Sequence, residues 1–191
     1  MSVLDRGFKT WAERFGEGLR KELELKSTEP LDPRLLATFL GVGICTPKQV
    51  PGLSKDALKQ LLETDPSGWS AVTVMTEKHP IVIYNPAHSL ARQASDIAHE
   101  LAHIILEHDP AKMVLSQDGA IVMRSFNEKQ EEEANWLAWS LLLPREALLQ
   151  AVRNGHGATE IALQFGVSES LAKYRIQITG VRTQLRRYAR R

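Results

Sequence analysis

Cysteine is nearly absent: the 191 residues contain one, Cys45. A single thiol excludes an internal disulfide and suits a reducing compartment. Apolar runs are short as well, and none approaches the roughly 18 residues that a membrane helix requires. The first residues, Met1-Ser2-Val3-Leu4-Asp5-Arg6, show no apolar stretch of signal-peptide length. The expectation is a cytoplasmic chain that stays off membranes. Internal repeats and low-complexity tracts are also missing, and net charge is close to zero, at +1. What is present is the composition of an ordinary globular protein, 43% apolar and 25% charged. Its length suits one domain, or one domain with a small appendage.

The small net charge hides an uneven distribution. Residues 173–191 hold seven basic side chains (Lys173, Arg175, Arg182, Arg186, Arg187, Arg190 and Arg191) and no acidic one, leaving 17 basic against 23 acidic side chains in the first 172 residues. Such a tail suits nucleic acid or an acidic protein surface, and equally a solvated helix end.

Punctuation along the chain predicts its elements. Residues 3–24 read as a charged amphipathic helix. Asp32-Pro33 opens a second with a capping residue and a proline at the first helical position, and Gly41 and Gly43 close it. Ser54 caps a third helix running to about Glu63, before a turn at Asp65-Pro66-Ser67-Gly68. Trp69–Thr76 and Pro80–Tyr84 are β-branched and aromatic and read as a strand pair. Asn85-Pro86 ends the second strand and starts a long helix that stops before Asp109-Pro110. A third strand is expected at Ala120–Arg124. Ser125-Phe126-Asn127-Glu128 has capping-box spacing, starting a helix that ends at Leu143-Pro144. Two shorter helices follow, and Gly155-His156-Gly157 leads into a C-terminal helical segment. The fold class is α+β, helices around a small three-stranded sheet. Three segments are expected: an N-terminal helical region (1–68), a core (69–154), and a helix-turn-helix-like segment with the basic tail (155–191).

The most informative stretch is His99-Glu100-Leu101-Ala102-His103. At 100° per residue the two histidines lie about 40° apart and Glu100 about 100° from His99, on a polar face separate from the apolar stripe of Leu90, Ala94, Ile97, Leu101, Ile104 and Ile105. Two imidazoles one turn apart can hold a metal while the neighbouring carboxylate activates a water. A catalytic zinc needs a third protein ligand, and the following helix offers Glu131, Glu132 and Glu133. Only Glu131 falls inside that helix's apolar arc of Ala134, Leu137, Ala138, Leu141 and Leu142, where an ionised carboxylate is costly unless paired. Glu131 is therefore the expected third ligand, with Glu132 and Glu133 turned to solvent. Asn135, one turn on, and Asp96, one turn before His99, are the expected supporting groups behind the ligands.

These residues resemble the ImmA/IrrE family of zinc metallopeptidases. The likeness rests on His99-Glu-Leu-Ala-His103, on Glu131-Glu-Glu-Ala-Asn135-Trp-Leu-Ala138, on Leu141-Leu-Leu-Pro144 and on Ile83-Tyr-Asn-Pro86 upstream, and it extends from about Pro33 to Gly180. It implies a mostly helical, zincin-like intracellular endopeptidase that cleaves a helix-turn-helix repressor encoded nearby. Zinc would sit on His99, His103 and Glu131, with Glu100 as general base. Leu137 stands where phenylalanine is usual, Leu143 where methionine is usual, and Asp96 where threonine is common.

Some readings stay open. An oxyanion-stabilising donor is not identified, with His108, His156, Tyr174 and Arg175 as candidates. The strand Pro80–Tyr84 either presents an edge to an extended substrate or lies inside the sheet. Ala158–Phe165, Gly166-Val167-Ser168 and Glu169–Gln177 have helix-turn-helix form, so DNA binding is an alternative to a place in the body of a peptidase. Two other functions compete with the endopeptidase: a non-enzymatic regulator with a structural metal site, and a zinc hydrolase of small molecules.

Overall fold

A computed structural model describes residues 3–108, 114–115, 121–122 and 127–188, the two short middle segments by their backbone alone. The architecture is α+β. In chain order come α1 (Phe8–Glu22), α2 (Pro33–Phe39), β1 (Gly43–Cys45), α3 (Lys55–Lys59), β2 (Ala71–Met75), β3 (Pro80–Tyr84), α4 (Leu90–Ile105), β4 (Val114–Leu115), β5 (Ile121–Val122), α5 (Glu128–Leu142), α6 (Arg145–Arg153), α7 (Ala158–Phe165), α8 (Glu169–Thr179) and α9 (Val181–Tyr188).

The three-stranded sheet has the order β1-β3-β2. Strands β2 and β3 form the expected antiparallel pair, with Thr73 opposite Val82. The third strand is not the predicted one. It is β1, parallel to β3, with Ile44 opposite Val82. Gly43, read as a helix terminator, instead opens that strand. Of the predicted Ala120–Arg124 strand, Ile121–Val122 pairs with Val114–Leu115 in a separate two-stranded sheet, and its other residues lie outside the described ones. Because β3 is flanked on both sides, it is interior, and among the described residues β2 carries an outer edge.

Several helices start further along than expected. The first helix begins at Phe8, after Gly7 in the left-handed region (φ 96°). Helix α4 starts at Leu90, not at Asn85-Pro86, because Ser89 accepts the Arg92 N–H. Asn85 is fully buried instead, its amide donating to the Pro66 and Trp69 carbonyls and its Oδ1 accepting from the Ala87 N–H. Helix α5 starts at Glu128, capped by Asn127, whose Oδ1 accepts from the N–H groups of Lys129 and Gln130. The predicted cap Ser125 lies outside the described residues, as do Asp109 and Pro110. One helix, α6, rather than two, precedes Gly155. The helix-turn-helix is as predicted, with Gly166 in the left-handed region (φ 64°) and Ser168 capping α8.

The core runs from Ala12 to Val181 and draws residues from all three predicted segments. Helix α4 lies between the sheet and α5, burying Ile97, Ala98, Leu101 and Ala102. Helix α5 buries Ala134, Leu137, Ala138, Leu141 and Leu142, the arc expected from its periodicity, although Leu90 of the α4 stripe is exposed.

Two fully buried arginines finish the C-terminal end of α5. Arg20 of α1 donates to the carbonyls of Leu141 (2.8 Å), Glu29 (2.8 Å) and Lys26 (3.3 Å). Burial pushes its guanidinium down to about 10, partly offset by Glu29. Arg175 of α8 donates to the Leu143 carbonyl at 2.9 and 3.1 Å and pairs with Glu13 of α1 at 2.6 Å. Cations at a helix C-terminus meet its exposed carbonyls and the negative end of its dipole. Helices α1 and α8 thereby fix the helix that carries Glu131.

Candidate metal centre

His99 and His103 lie one turn apart on α4, and Glu131 lies in the first turn of α5. The close packing of the two helices brings the three side chains together. His99 Nε2 is 3.1 Å from His103 Nε2 and 3.2 Å from Glu131 Oε2, and His103 Nε2 is 3.7 Å from Glu131 Oε1. All three are partly exposed, at 24%, 20% and 30%, so the cluster can be reached from solvent. Among the described residues this is the group of histidine, cysteine and acidic side chains that could hold a metal ion.

The spacing fits such an ion. Tetrahedral zinc with bonds of about 2.0–2.1 Å separates its ligand atoms by roughly 3.3–3.4 Å. The 3.1 Å between the two nitrogens and the 3.2 Å from His99 to Glu131 Oε2 are close to that value, and His103 lies 3.7 Å from the other oxygen of the same carboxylate. The donor set of two neutral nitrogens and one carboxylate oxygen also suits zinc.

Glu100 occupies a different environment from the one its helical position suggests. It is 4% exposed, its polar face of the helix being covered by the sheet. Thr73 Oγ1 of β2 donates to Glu100 Oε2 at 2.6 Å, a short charge-assisted bond that fixes the carboxylate. Thr73 escaped the sequence reading because nothing local marks one threonine in a strand as the partner of a glutamate 27 residues later.

The rear of the cluster is also organised. His103 Nδ1 lies 3.0 Å from His108 Nδ1, and His108 Nε2 lies 3.2 Å from Glu133 Oε2. Glu133, expected to face solvent, is thus turned inward, and its side chain (14% exposed) is more buried than that of Glu131 (30%). Burial pushes the His108 imidazole below its usual range, against the opposing pull of Glu133. Asp96 is paired with His88, whose Nδ1 lies 2.7 Å from Asp96 Oδ2. Asn135 is half-buried and has no side-chain hydrogen bond to the trio among the described residues.

The four oxyanion candidates separate clearly. Arg175 is fully buried and committed to Leu143 and Glu13. Tyr174 packs edge-on against Trp139, and burial raises its hydroxyl pKa. His156 is exposed near Thr28 and Gln164. His108 alone touches the cluster, and it does so behind His103.

Comparison with known proteins identifies a family. The sequence model of the IrrE N-terminal-like domain, Peptidase_M78, matches residues 59–177, more than half of the chain. The chain belongs to that family. The match to this peptidase family covers α4 and α5 with every residue of the cluster and runs on through most of α8. No curated protein matches the chain. A solved structure of a Mycobacterium tuberculosis transcriptional regulator is similar at a TM-score of 0.53 and 17% identity, over 91% of this chain and 47% of that one. The IrrE-like chain therefore spans about half the length of that regulator, with which it shares a fold. Among the described residues no helix is long and apolar enough to cross a membrane.

Proposed function

We propose that this IrrE-like chain is a zinc-dependent endopeptidase that acts in the cytoplasm on a helix-turn-helix transcriptional repressor encoded nearby. The observation that carries the reading is the convergence of His99, His103 and Glu131 beside a buried, anchored Glu100. His99, His103 and Glu131 would hold the metal. A bound zinc supplies Lewis acidity toward water and toward a peptide carbonyl. Glu100 takes the proton from the attacking water and delivers it to the departing amine, which returns the carboxylate to its starting state. A purely structural site with these ligands would have no use for a buried glutamate at that position. Thr73 holds this carboxylate in one orientation, so that proton transfer does not wait on a rotamer change.

Strand β2 supports the choice of a peptide substrate. It is the edge strand on one side of the sheet and also carries Thr73. An extended peptide adding to its outer edge would lie alongside the residue that anchors Glu100. In this reading the docking edge belongs to Ala71–Met75, Pro80–Tyr84 being interior.

A second reading has some support. Helices α7 and α8 have helix-turn-helix form, and α9 carries Arg182, Arg186 and Arg187. DNA binding by this segment in a non-enzymatic regulator would show as a salt-dependent shift of duplex DNA. The burial of Arg175 against α5 favours instead a buttress of the peptidase body.

The test is incubation of the purified chain with zinc and the helix-turn-helix repressor encoded beside it, with and without a chelator. Cleavage that stops with chelator and in Glu100→Gln is the expected result. Cleavage undiminished in Glu100→Gln would overturn the role given to that residue. Turnover of small-molecule esters or amides while the repressor stays intact would move the chain to another class of hydrolase.

A further inference from the structure

The contacts behind His103 form a line that the metal assignment does not use. Helix α4 ends with Glu107 in the left-handed region (φ 52°). The His108 N–H bonds to the His103 carbonyl (3.0 Å), and the Glu107 N–H bonds to the Ile104 carbonyl (3.1 Å). This is the Schellman pairing, in which a left-handed residue turns the chain back on the last helical turn. The usual apolar contact between the residues at its two ends is replaced here by two imidazoles, their ring centroids 5.0 Å apart and their planes 69° apart. A non-glycine residue in the left-handed region costs roughly 1–2 kcal/mol, and this one places His108 against His103.

Proton placement along this line is fixed by valence. If His103 meets a metal through Nε2, its proton is on Nδ1. The 3.0 Å contact between the two Nδ1 atoms requires one donor and one acceptor, so His108 accepts on Nδ1 and carries its own proton on Nε2. That proton points at Glu133 Oε2, 3.2 Å away. The other oxygen of Glu133 faces Lys129 Nζ at 3.8 Å. Glu133 and Glu131 share α5, so one helix supplies both the cluster's carboxylate and the anchor of the line behind His103.

We propose that His108 and Glu133 form a positioning relay for the metal centre: Glu133 orients His108, which orients His103 and increases the basicity of its Nε2. The proposal rests on the zinc reading above and extends it to residues outside the ligand set. A carboxylate behind a ligating histidine fixes its tautomer and ring plane, and removing such a partner typically weakens metal binding by 10–100-fold. Here the carboxylate acts through an intervening imidazole.

The test uses the full chain and zinc alone, with affinity read by competition against a chromophoric chelator. Glu133→Gln and His108→Gln are expected to weaken zinc binding by about 10–100-fold, and Lys129→Ala by less than twofold. Nitrogen-15 NMR of the zinc-loaded, unsubstituted chain gives a readout that needs no variant to fold. It is expected to show His108 neutral with its proton on Nε2, the ring signal being assigned through bonds from the residue's own backbone. A His108 proton on Nδ1, or zinc affinity in Glu133→Gln within twofold of the unsubstituted chain, would overturn the relay. Zinc bound as tightly by His103→Ala as by the unsubstituted chain would overturn the metal reading itself, and the relay with it.

Discussion

Thr73 Oγ1 and Glu100 Oε2 lie 2.6 Å apart, linking the edge strand β2 to the helix that carries both histidines of the cluster. The bond holds a buried carboxylate against the middle of that edge strand, beside the proposed path of a peptide.

Thr73→Val keeps the shape of this contact and removes its donor. Turnover is expected to fall about 10–100-fold, since a hydrogen bond to a charged group contributes about 1.5–3 kcal/mol. Thr73→Ser should restore most of it, and zinc affinity should be unchanged in both variants. Steady-state kinetics with chelator titration separates the two effects.

Glu13 accepts from Arg175 (2.6 Å) and from the Arg145 N–H (3.0 Å), and it is the carboxylate paired with a fully buried guanidinium. Glu13→Ala leaves that charge without its counter-ion, a loss of about 3 kcal/mol or more. Urea unfolding is expected to show a lower midpoint, and zinc affinity should fall by much less than in the ligand variants. Stability unchanged in Glu13→Ala would mean that Arg175 does not depend on this pair.

Glu107 occupies a conformation that glycine adopts without steric cost, and its side chain is exposed. Glu107→Gly removes the left-handed penalty and adds some unfolded-state entropy, for a net gain of about 0.5–1 kcal/mol. The melting temperature should rise by about 1–4 °C while the turn that places His108 is kept. A lower melting temperature would show that the Glu107 side chain contributes something that its exposure conceals.

Metal binding should be visible as stability. A ligand at 100 times its dissociation constant stabilises the native state by about 2.7 kcal/mol. Calorimetric scans with excess zinc are expected to show a higher transition than scans with chelator. The difference should vanish in His103→Ala.

Much of the cluster was legible because helical periodicity is local. His99, Glu100 and His103 follow from spacing within one helix, and Glu131 from the cost of a carboxylate on an apolar arc. The same wheel turned Glu133 toward solvent, because its partner His108 arrives from the end of another helix and no pattern within α5 announces it. The polar face that carries Glu100 gave no sign of its cover for the same reason, since the sheet over it comes from residues 71–84. Strand β1 was missed because three residues bounded by glycine cannot show alternation, and its pairing with β3 bridges nearly forty positions. The start of α4 was placed at Asn85-Pro86 because those residues carry a cap's chemistry. In the fold Asn85 uses it to hold the turn at residues 66–69, leaving Ser89 to cap the helix.

Zinc stoichiometry and affinity in the unsubstituted chain and in His99→Ala, His103→Ala and Glu131→Ala form the most direct measurement. One zinc per chain, bound at least a hundredfold more weakly in each variant, is the expected result, on the order of what losing one of three protein ligands to zinc costs. Tight zinc retained in Glu131→Ala, or no zinc bound by the unsubstituted chain, would contradict it.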